Sequence, residues 1–232
     1  VNLRIFHSEE ACAAAATRFG PGGETLVMPH GNYDGVFPSP RPPAETRAEL
    51  GVPPGTNLLL MAGNLRAYKG IAAAAEASAT TGVPIRLLAA GRAEGSDRRS
   101  LESLARSYAH LQVEFGRLSE QRVADLHGAA DAVLLPYSQV SGSGALLTAL
   151  TCARGVITSD RPYFREVLNP EPQAGTIARD GSIASLAVAI EEFLAGDAVQ
   201  RASAARRLAD RYSWDRVVPP VAKWLLSLTP NP

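Results

Sequence analysis

Two loops in this sequence carry residue types that could act on a phosphate ester. The first is Tyr137-Ser-Gln-Val-Ser-Gly-Ser-Gly-Ala145, directly after the apolar run 132–136. A buried strand is expected to end at Pro136, and an apolar helix to run from about 143 to 153. The start of such a helix offers free backbone N–H groups and a positive dipole end, which bind phosphate or diphosphate without a charged side chain. The second loop is Gly63-Asn-Leu-Arg-Ala-Tyr-Lys-Gly70, after a strand that ends at about Ala62. Arg66 as a fork and Lys69 as a point charge could neutralise a diphosphate leaving group.

Each loop has a plainer reading. Gly63 to Gly70 could be a solvated turn with incidental charge, and Gly142-Ser-Gly144 a tight turn. Neither fits a known phosphate fingerprint. Lys69 is followed by Gly rather than Ser or Thr, which excludes a Walker A loop. The third glycine of a dinucleotide fingerprint falls on Leu147, and Asp160 could supply its acid only by coincidence. Three further turns are candidates. His30 in His30-Gly-Asn-Tyr33 reads as a cleft residue or a capped structural histidine. Gly91-Arg92 could let backbone approach a ligand, and Gly116-Arg117-Leu118 could line a base pocket.

The elements that would position these loops alternate at α/β spacing. Strands are expected at 3–6, 25–28, 58–62, 85–90, 113–115, 132–135, 156–158 and 175–178. Helices are expected near 9–19, 44–50, 70–80, 98–109, 119–129, 143–153, 161–168, 182–195, 198–211 and 214–228. Ser119 and Ser213 are placed to cap helices, and Gly51 and Gly196 to end them. Strands that are continuous apolar runs belong to a parallel sheet covered on both faces. The fold class is therefore α/β, a doubly wound, Rossmann-like parallel sheet with ligands at its carboxyl edge.

The totals bound the function. Lys and Arg number 23, as do Asp and Glu, so no global field gathers nucleic acid or anionic lipid and any anion site is local. Cys12 and Cys152 read as buried free thiols, and no metal-ligand spacing links them to His7, His30, His110 or His127. No apolar run is long enough to span a membrane. The chain begins at Val1 and reads as a fragment or domain. Three parts are expected: 1–22, the remnant of a preceding domain and a Gly-Pro-Gly-Gly hinge; 23–212, the Rossmann-like domain; and 213–232, a return helix. That helix carries an apolar face of Trp214, Val217, Val218, Val221, Trp224, Leu225 and Leu228, for docking on the same sheet or on a partner domain. Segment 36–43 is a proline-stiffened loop.

In order and spacing, several stretches together resemble the carboxyl-terminal donor-binding half of a family 4 glycosyltransferase with the GT-B fold. They are Val27-Met-Pro-His-Gly-Asn-Tyr33, Gly63 to Gly70, Leu87-Leu-Ala-Ala-Gly91, Val113-Glu-Phe-Gly-Arg-Leu118, Ala129-Ala-Asp-Ala-Val-Leu-Leu-Pro-Tyr137, 143–160 and Tyr212-Ser-Trp-Asp215. The resemblance implies transfer of a hexose-type sugar from a nucleotide diphosphate sugar, with retention of configuration. The acceptor, a glycan, lipid or small molecule, would sit on an absent amino-terminal domain. Lys69 and Arg66 would face the leaving diphosphate, with Asn64 where many relatives carry Arg. Gly63, Tyr137, Gly142, Ser143, Gly144 and Ala145 would bind the donor, and Arg117 and Leu118 its base. No cofactor, metal or nucleic acid is implied. The expected location is cytoplasmic, or peripheral at the inner membrane face in a longer protein. One departure is plain. Two Glu residues common in relatives align with Val140 and Thr148. Two rival readings follow, a non-catalytic nucleotide-binding or subunit-pairing module and a sugar-nucleotide epimerase of GT-B shape.

Overall fold

The run Leu58-Leu-Leu-Met61 has no polar face, so a strand built from it needs apolar cover on both sides. The computed structural model, which describes residues 3–20 and 23–228, supplies that cover. In chain order the elements are β1 (Leu3–Phe6), α1 (Glu9–Phe19), β2 (Glu24–Val27), α2 (Pro43–Glu49), β3 (Asn57–Ala62), α3 (Ile71–Thr80) and β4 (Ile85–Gly91). Then come α4 (Gly95–Ser107), β5 (Leu111–Phe115), α5 (Glu120–Ala129), β6 (Ala132–Leu135), α6 (Gly144–Thr151), β7 (Val156–Thr158) and α7 (Pro162–Leu168). The last are β8 (Gly175–Ile177), α8 (Ile183–Leu194), α9 (Ala198–Arg211), α10 (Trp214–Val217) and α11 (Pro219–Ser227).

Six strands form one parallel sheet in the order β5-β4-β3-β6-β7-β8. Along β3 the side chains alternate between two cores. Leu58 and Leu60 pack under α5, α6 and α9, with Leu126, Leu146 and Leu208. Leu59 and Met61 pack under α3, α4 and α8, with Ile71, Leu101 and Ile190. The fold is thus the expected doubly wound α/β sheet. Its chain order reverses between β3 and β6, which opens a crevice at their carboxyl ends.

Three local expectations change. β2, placed by sequence with the Rossmann-like domain, pairs in parallel with β1 as a separate two-stranded sheet. The helix between its strands, α1, is tied to α7, where the Glu166 carboxylate accepts from the Glu9 and Glu10 amides at 3.0 and 3.1 Å. The expected turn at 20–23 falls partly outside the described residues, as do the ends of the chain. The single terminal helix is broken at Val218, because Pro219 and Pro220 cannot continue the hydrogen-bond ladder. Of its apolar face Val217 and Val221 are buried, while Trp214, Val218, Leu225 and Leu228 remain exposed. Ser119 caps α5 through its side chain, but Ser213 makes no such bond to α10. Both cysteines are free but only half-buried, and burial pushes the Cys152 thiol up to about 11. Among the described residues no helix is long and apolar enough to cross a membrane.

At the carboxyl edge the backbone is drawn tight. Gly63 donates to Ala90 and Gly116 to Gly91, both at 2.9 Å, and Leu65 donates to Arg92 at 2.7 Å. Gly91 has φ +143, and a Cβ there would lie 1.8 Å from the Gly63 carbonyl oxygen. Gly51 also has positive φ, but a Cβ there would meet nothing within 4 Å. In urea titrations Gly51→Ala should cost about 1–2 kcal/mol, the left-handed penalty alone. Gly91→Ala should cost about 2–4 kcal/mol, because the steric overlap adds to it. Equal losses would refute the close packing of the two loops.

Candidate functional site: a cation-lined cleft at the sheet switch point

The two loops that exit β3 and β6 meet over the crevice. Ala67, Tyr68 and Lys69 form one 3₁₀ turn, closed by Gly70 in the left-handed conformation. Only glycine fits there, since a Cβ would lie 2.3 Å from the Pro136 carbonyl oxygen. Ser138 donates its amide to Tyr68 O at 2.8 Å, which joins one loop to the other.

Two hollows open on either side of this junction. One, about 450 Å³, is walled by Tyr68, Lys69, Tyr137 and the segment 139–145. The other, about 440 Å³, includes Tyr33, Phe37, Gly63, Asn64, Arg92, Arg117, Leu118 and His127 in its walls. Tyr68, Lys69, Gly144 and Ala145 line both. Lys69, Arg92 and Arg117 are the cations of these walls, and no Asp or Glu is among the described lining residues. A chain of zero net charge therefore presents a locally positive cleft.

Lys69 is the centre of this field. The residue is 8% exposed, and its Nζ stands 5.5 Å from the Tyr137 ring centroid. Among the described residues no carboxylate pairs with it. Burial pulls its pKa down to about 8 from an ordinary value of 10.5. A buried ammonium without a counter-charge is costly in the free protein and strongly attracts an anion.

The helix start contributes differently from expectation. Ser143 Oγ caps α6 by accepting from the Leu146 amide at 3.1 Å, and the Ser143 amide donates to Tyr163 Oη at 3.2 Å. Burial pushes the Tyr163 phenol up to about 12, so it stays a neutral partner. The Ser143 amide and Oγ are thus both engaged within the protein, while the residue also lines the first hollow. The Gly144 and Ala145 amides have no acceptor within the described residues, and both residues line the two hollows at the junction.

Of the other residues chosen from sequence, Gly63, Asn64, Arg117, Leu118, Tyr137 and Gly142 all line the cleft. Arg66 does not. Its guanidinium pairs with Asp97 at 3.4 Å, and its side chain lines a separate hollow with Leu65, Ile71 and Leu101. The turn explains this: Arg66 precedes it in extended conformation while Lys69 is its last residue, so the two side chains leave it in different directions. His30 is also off the cleft walls. It packs between Tyr33 and Trp214, with ring centroids 5.4 and 6.1 Å away, and donates Nδ1–H to Gly31 O. Val140 and Thr148 line the two hollows, so the positions where relatives carry Glu do face the cleft, without carboxylates.

Tyr33, Phe37 and His127 also line the cleft, although of these only Tyr33, at the end of the His30 turn, stands beside a sequence candidate. Tyr33 is held by its amide on Thr151 Oγ1 at 3.1 Å. The neighbouring Asn32 donates its side-chain amide to Ala209 O at 3.0 Å and to Asp34, whose carboxyl Arg206 holds below its usual range. Phe37 belongs to the proline loop, which is clamped onto α5 through Asp125. That carboxylate is raised by burial but lowered more by the Arg41 amide, Gln121 and the Arg41 guanidinium, so it stays ionised.

Lys69→Met separates binding from stability. Below about pH 8 the ammonium is charged in both folded and unfolded chains, and its burial penalty is fully present. Between about 8 and 10.5 the folded chain has released the proton while the unfolded chain retains it, so the penalty is lost as pH rises. Lys69→Met should therefore raise Tm at pH 7, and the gain should vanish by pH 11. It should also weaken nucleoside-diphosphate binding by about 1–3 kcal/mol. Unchanged affinity in calorimetry would remove Lys69 from the site.

Comparisons with known proteins agree with this architecture. The chain is 23% identical to sucrose-phosphate synthase from Thermosynechococcus elongatus, with a TM-score of 0.82 over 97% of this chain and 58% of that one. WaaG, a glycosyltransferase involved in lipopolysaccharide biosynthesis, is 21% identical with a TM-score of 0.76, over 97% and 62%. Anabaena HepE, solved with UDP and glucose, is 18% identical with a TM-score of 0.79, over 97% and 63%. The chain thus spans roughly three fifths of the length of these proteins. No curated protein matches by sequence. The profile of the glycosyl transferases group 1 family matches residues 43–210, and the chain belongs to that family.

Proposed function

We propose that this chain is the carboxyl-terminal donor-binding part of a GT-B glycosyltransferase of family 4 type. It takes a nucleotide diphosphate sugar and transfers a hexose-type unit to an acceptor, a glycan, lipid or small molecule, held by an amino-terminal domain outside these 232 residues. The observation that carries the reading is the convergence of the uncompensated Lys69 ammonium with the free Gly144 and Ala145 amides.

The diphosphate lies at the junction of the two hollows. The nucleoside occupies the one walled by Phe37, Arg117, Leu118 and Val123, and the sugar the one walled by Gln139 to Gly142. In the reaction the bond from the anomeric carbon to the β-phosphate oxygen breaks. A bond to an acceptor hydroxyl oxygen forms, and the hydroxyl proton passes to the departing diphosphate. Negative charge grows on the diphosphate, where Lys69 and the two amides stabilise it in a partly desolvated site. These donors stand in place beforehand, so little reorganisation is needed. Arg66 has no part in this account. No metal or cofactor is assigned, and retention of configuration is part of the proposal.

One observation favours a second reading. A cleft without carboxylates lacks the groups that relatives use on sugar and ribose, as a nucleotide-binding module without turnover would. HepE, whose structure holds UDP and glucose, supports the substrate class for the first.

Calorimetry with a panel of nucleotide sugars tests donor binding directly. Gly144→Val should abolish it while leaving the fold intact, because the new side chain covers the amides and meets Tyr33 Oη, 2.8 Å from the Cβ position. Normal binding by that variant would move the diphosphate elsewhere. The 232-residue chain alone should transfer no sugar to any acceptor in a radiolabel assay. Measurable transfer would refute the division of labour between domains.

A further inference from the structure

The nucleoside side of the cleft ends on a group with no role so far. His127 lies in the last turn of α5 and is 1% exposed. It lines the hollow together with Leu118, Val123, Ala145 and Thr148. Its Nδ1 stands 2.8 Å from the Val123 carbonyl oxygen. A carbonyl only accepts, so Nδ1 carries the proton, and in the neutral ring Nε2 is then a bare lone pair. Burial pushes the ring's pKa down to about 4, which keeps it neutral at physiological pH.

Nε2 has no partner among the described residues. It is also absent from the sealed, partnerless polar atoms, which are Thr46 Oγ1, Ser78 Oγ, Arg154 Nε, Thr158 Oγ1 and Arg201 Nε. The small open area of His127 therefore includes Nε2, and the open space it borders is the hollow. A purely structural histidine would be explained by the Val123 bond. That bond fixes the tautomer but leaves an acceptor presented to whatever enters the cleft. Around it the wall is mostly apolar, so an unmatched lone pair there discriminates strongly between ligands that offer a hydrogen and ligands that do not.

We propose that His127 is a specificity-determining residue for the nucleoside, its Nε2 accepting a hydrogen bond from an N–H of the base or an O–H of the ribose. The inference rests on the donor-site reading given above. A nucleoside that presents a second acceptor at that point is rejected, because neither group can supply the proton.

Calorimetry on the 232-residue chain can decide this with UDP, GDP, ADP, their 2′-deoxy forms and inorganic pyrophosphate. The variants are His127→Phe, which keeps a ring without an acceptor, and His127→Gln, which retains an acceptor oxygen. Expected is a loss of about tenfold or more in affinity for the preferred nucleoside diphosphate in His127→Phe. Pyrophosphate affinity should be unchanged, and His127→Gln should restore part of the loss. If the phenylalanine variant no longer distinguishes ribose from 2′-deoxyribose, the proton comes from the sugar. If it no longer distinguishes the bases, the proton comes from the base. Either result supports the assignment. In ¹⁵N spectra of the wild type, the His127 Nε2 signal should move upfield on binding. Unchanged nucleoside-diphosphate affinity in His127→Phe would overturn the inference and leave the donor site standing. An equal loss for pyrophosphate would also overturn it, since the ring would then only support the cleft wall. Failure of the wild type to bind any nucleoside diphosphate would overturn the donor reading and this inference with it.

Discussion

The site depends on one steric constraint, the contact of the Gly70 backbone with the carbonyl of Pro136. These residues follow strands that are adjacent in space and distant in sequence. A side chain at position 70 would wedge the loops apart. With none there, the 3₁₀ turn lies flat against the 136–138 segment, and the Ser138 amide reaches Tyr68 O. That contact sinks Lys69 below the surface beside Tyr137 and brings its ammonium to the same place as the start of α6. The strand order makes the contact available, because β3 and β6 are neighbours only where the winding reverses.

Burial then governs the chemistry of the cleft. It depresses Lys69, so the ammonium is held in the free protein at a cost that an anion offsets. It keeps Tyr163 and His127 neutral, which fixes the first as an acceptor for the Ser143 amide and the second as a bare lone pair above α5. Lys69 thus makes the junction positive, and the hollow that His127 lines adds Arg92 and Arg117 beside that neutral ring. Under the proposed function, charge would attract any diphosphate, and hydrogen-bond geometry would distinguish what is attached to it.

The surrounding loops are held by charges that do not enter the cleft. Asp125 fixes the proline loop that carries Phe37, and Asp34 with Arg206 fixes the turn that carries Tyr33. Each clamp bonds to backbone as well as side chains, which restrains loop position more than an exposed ion pair would. The cleft walls thus combine segments from before β3 with segments from the sheet itself.

Much of this was legible in the chain. Unbroken apolar runs such as 58–61 identified the parallel sheet, because only strands covered on both faces carry them. Gly and Ser after 132–136 identified the α6 start, and Lys69 was one of only two lysines in the sequence. The rest is nonlocal. Arg66 and Lys69 look equivalent three residues apart, and only the packed turn sends one to Asp97 and the other into the cleft. The pairing of β2 with β1 depends on which strand edge is nearer in space, and the break at Val218 on how two prolines are accommodated. His127 reads in sequence as an ordinary helical residue. Its tautomer follows from the Val123 carbonyl one turn back in α5, but the ring meets the cleft only because of how that helix packs. Local chemistry determined which elements form and which residue types could hold a phosphate. Tertiary structure decided which of those groups converge, because convergence is a property of distances across the sheet, which hydrophobic periodicity does not encode.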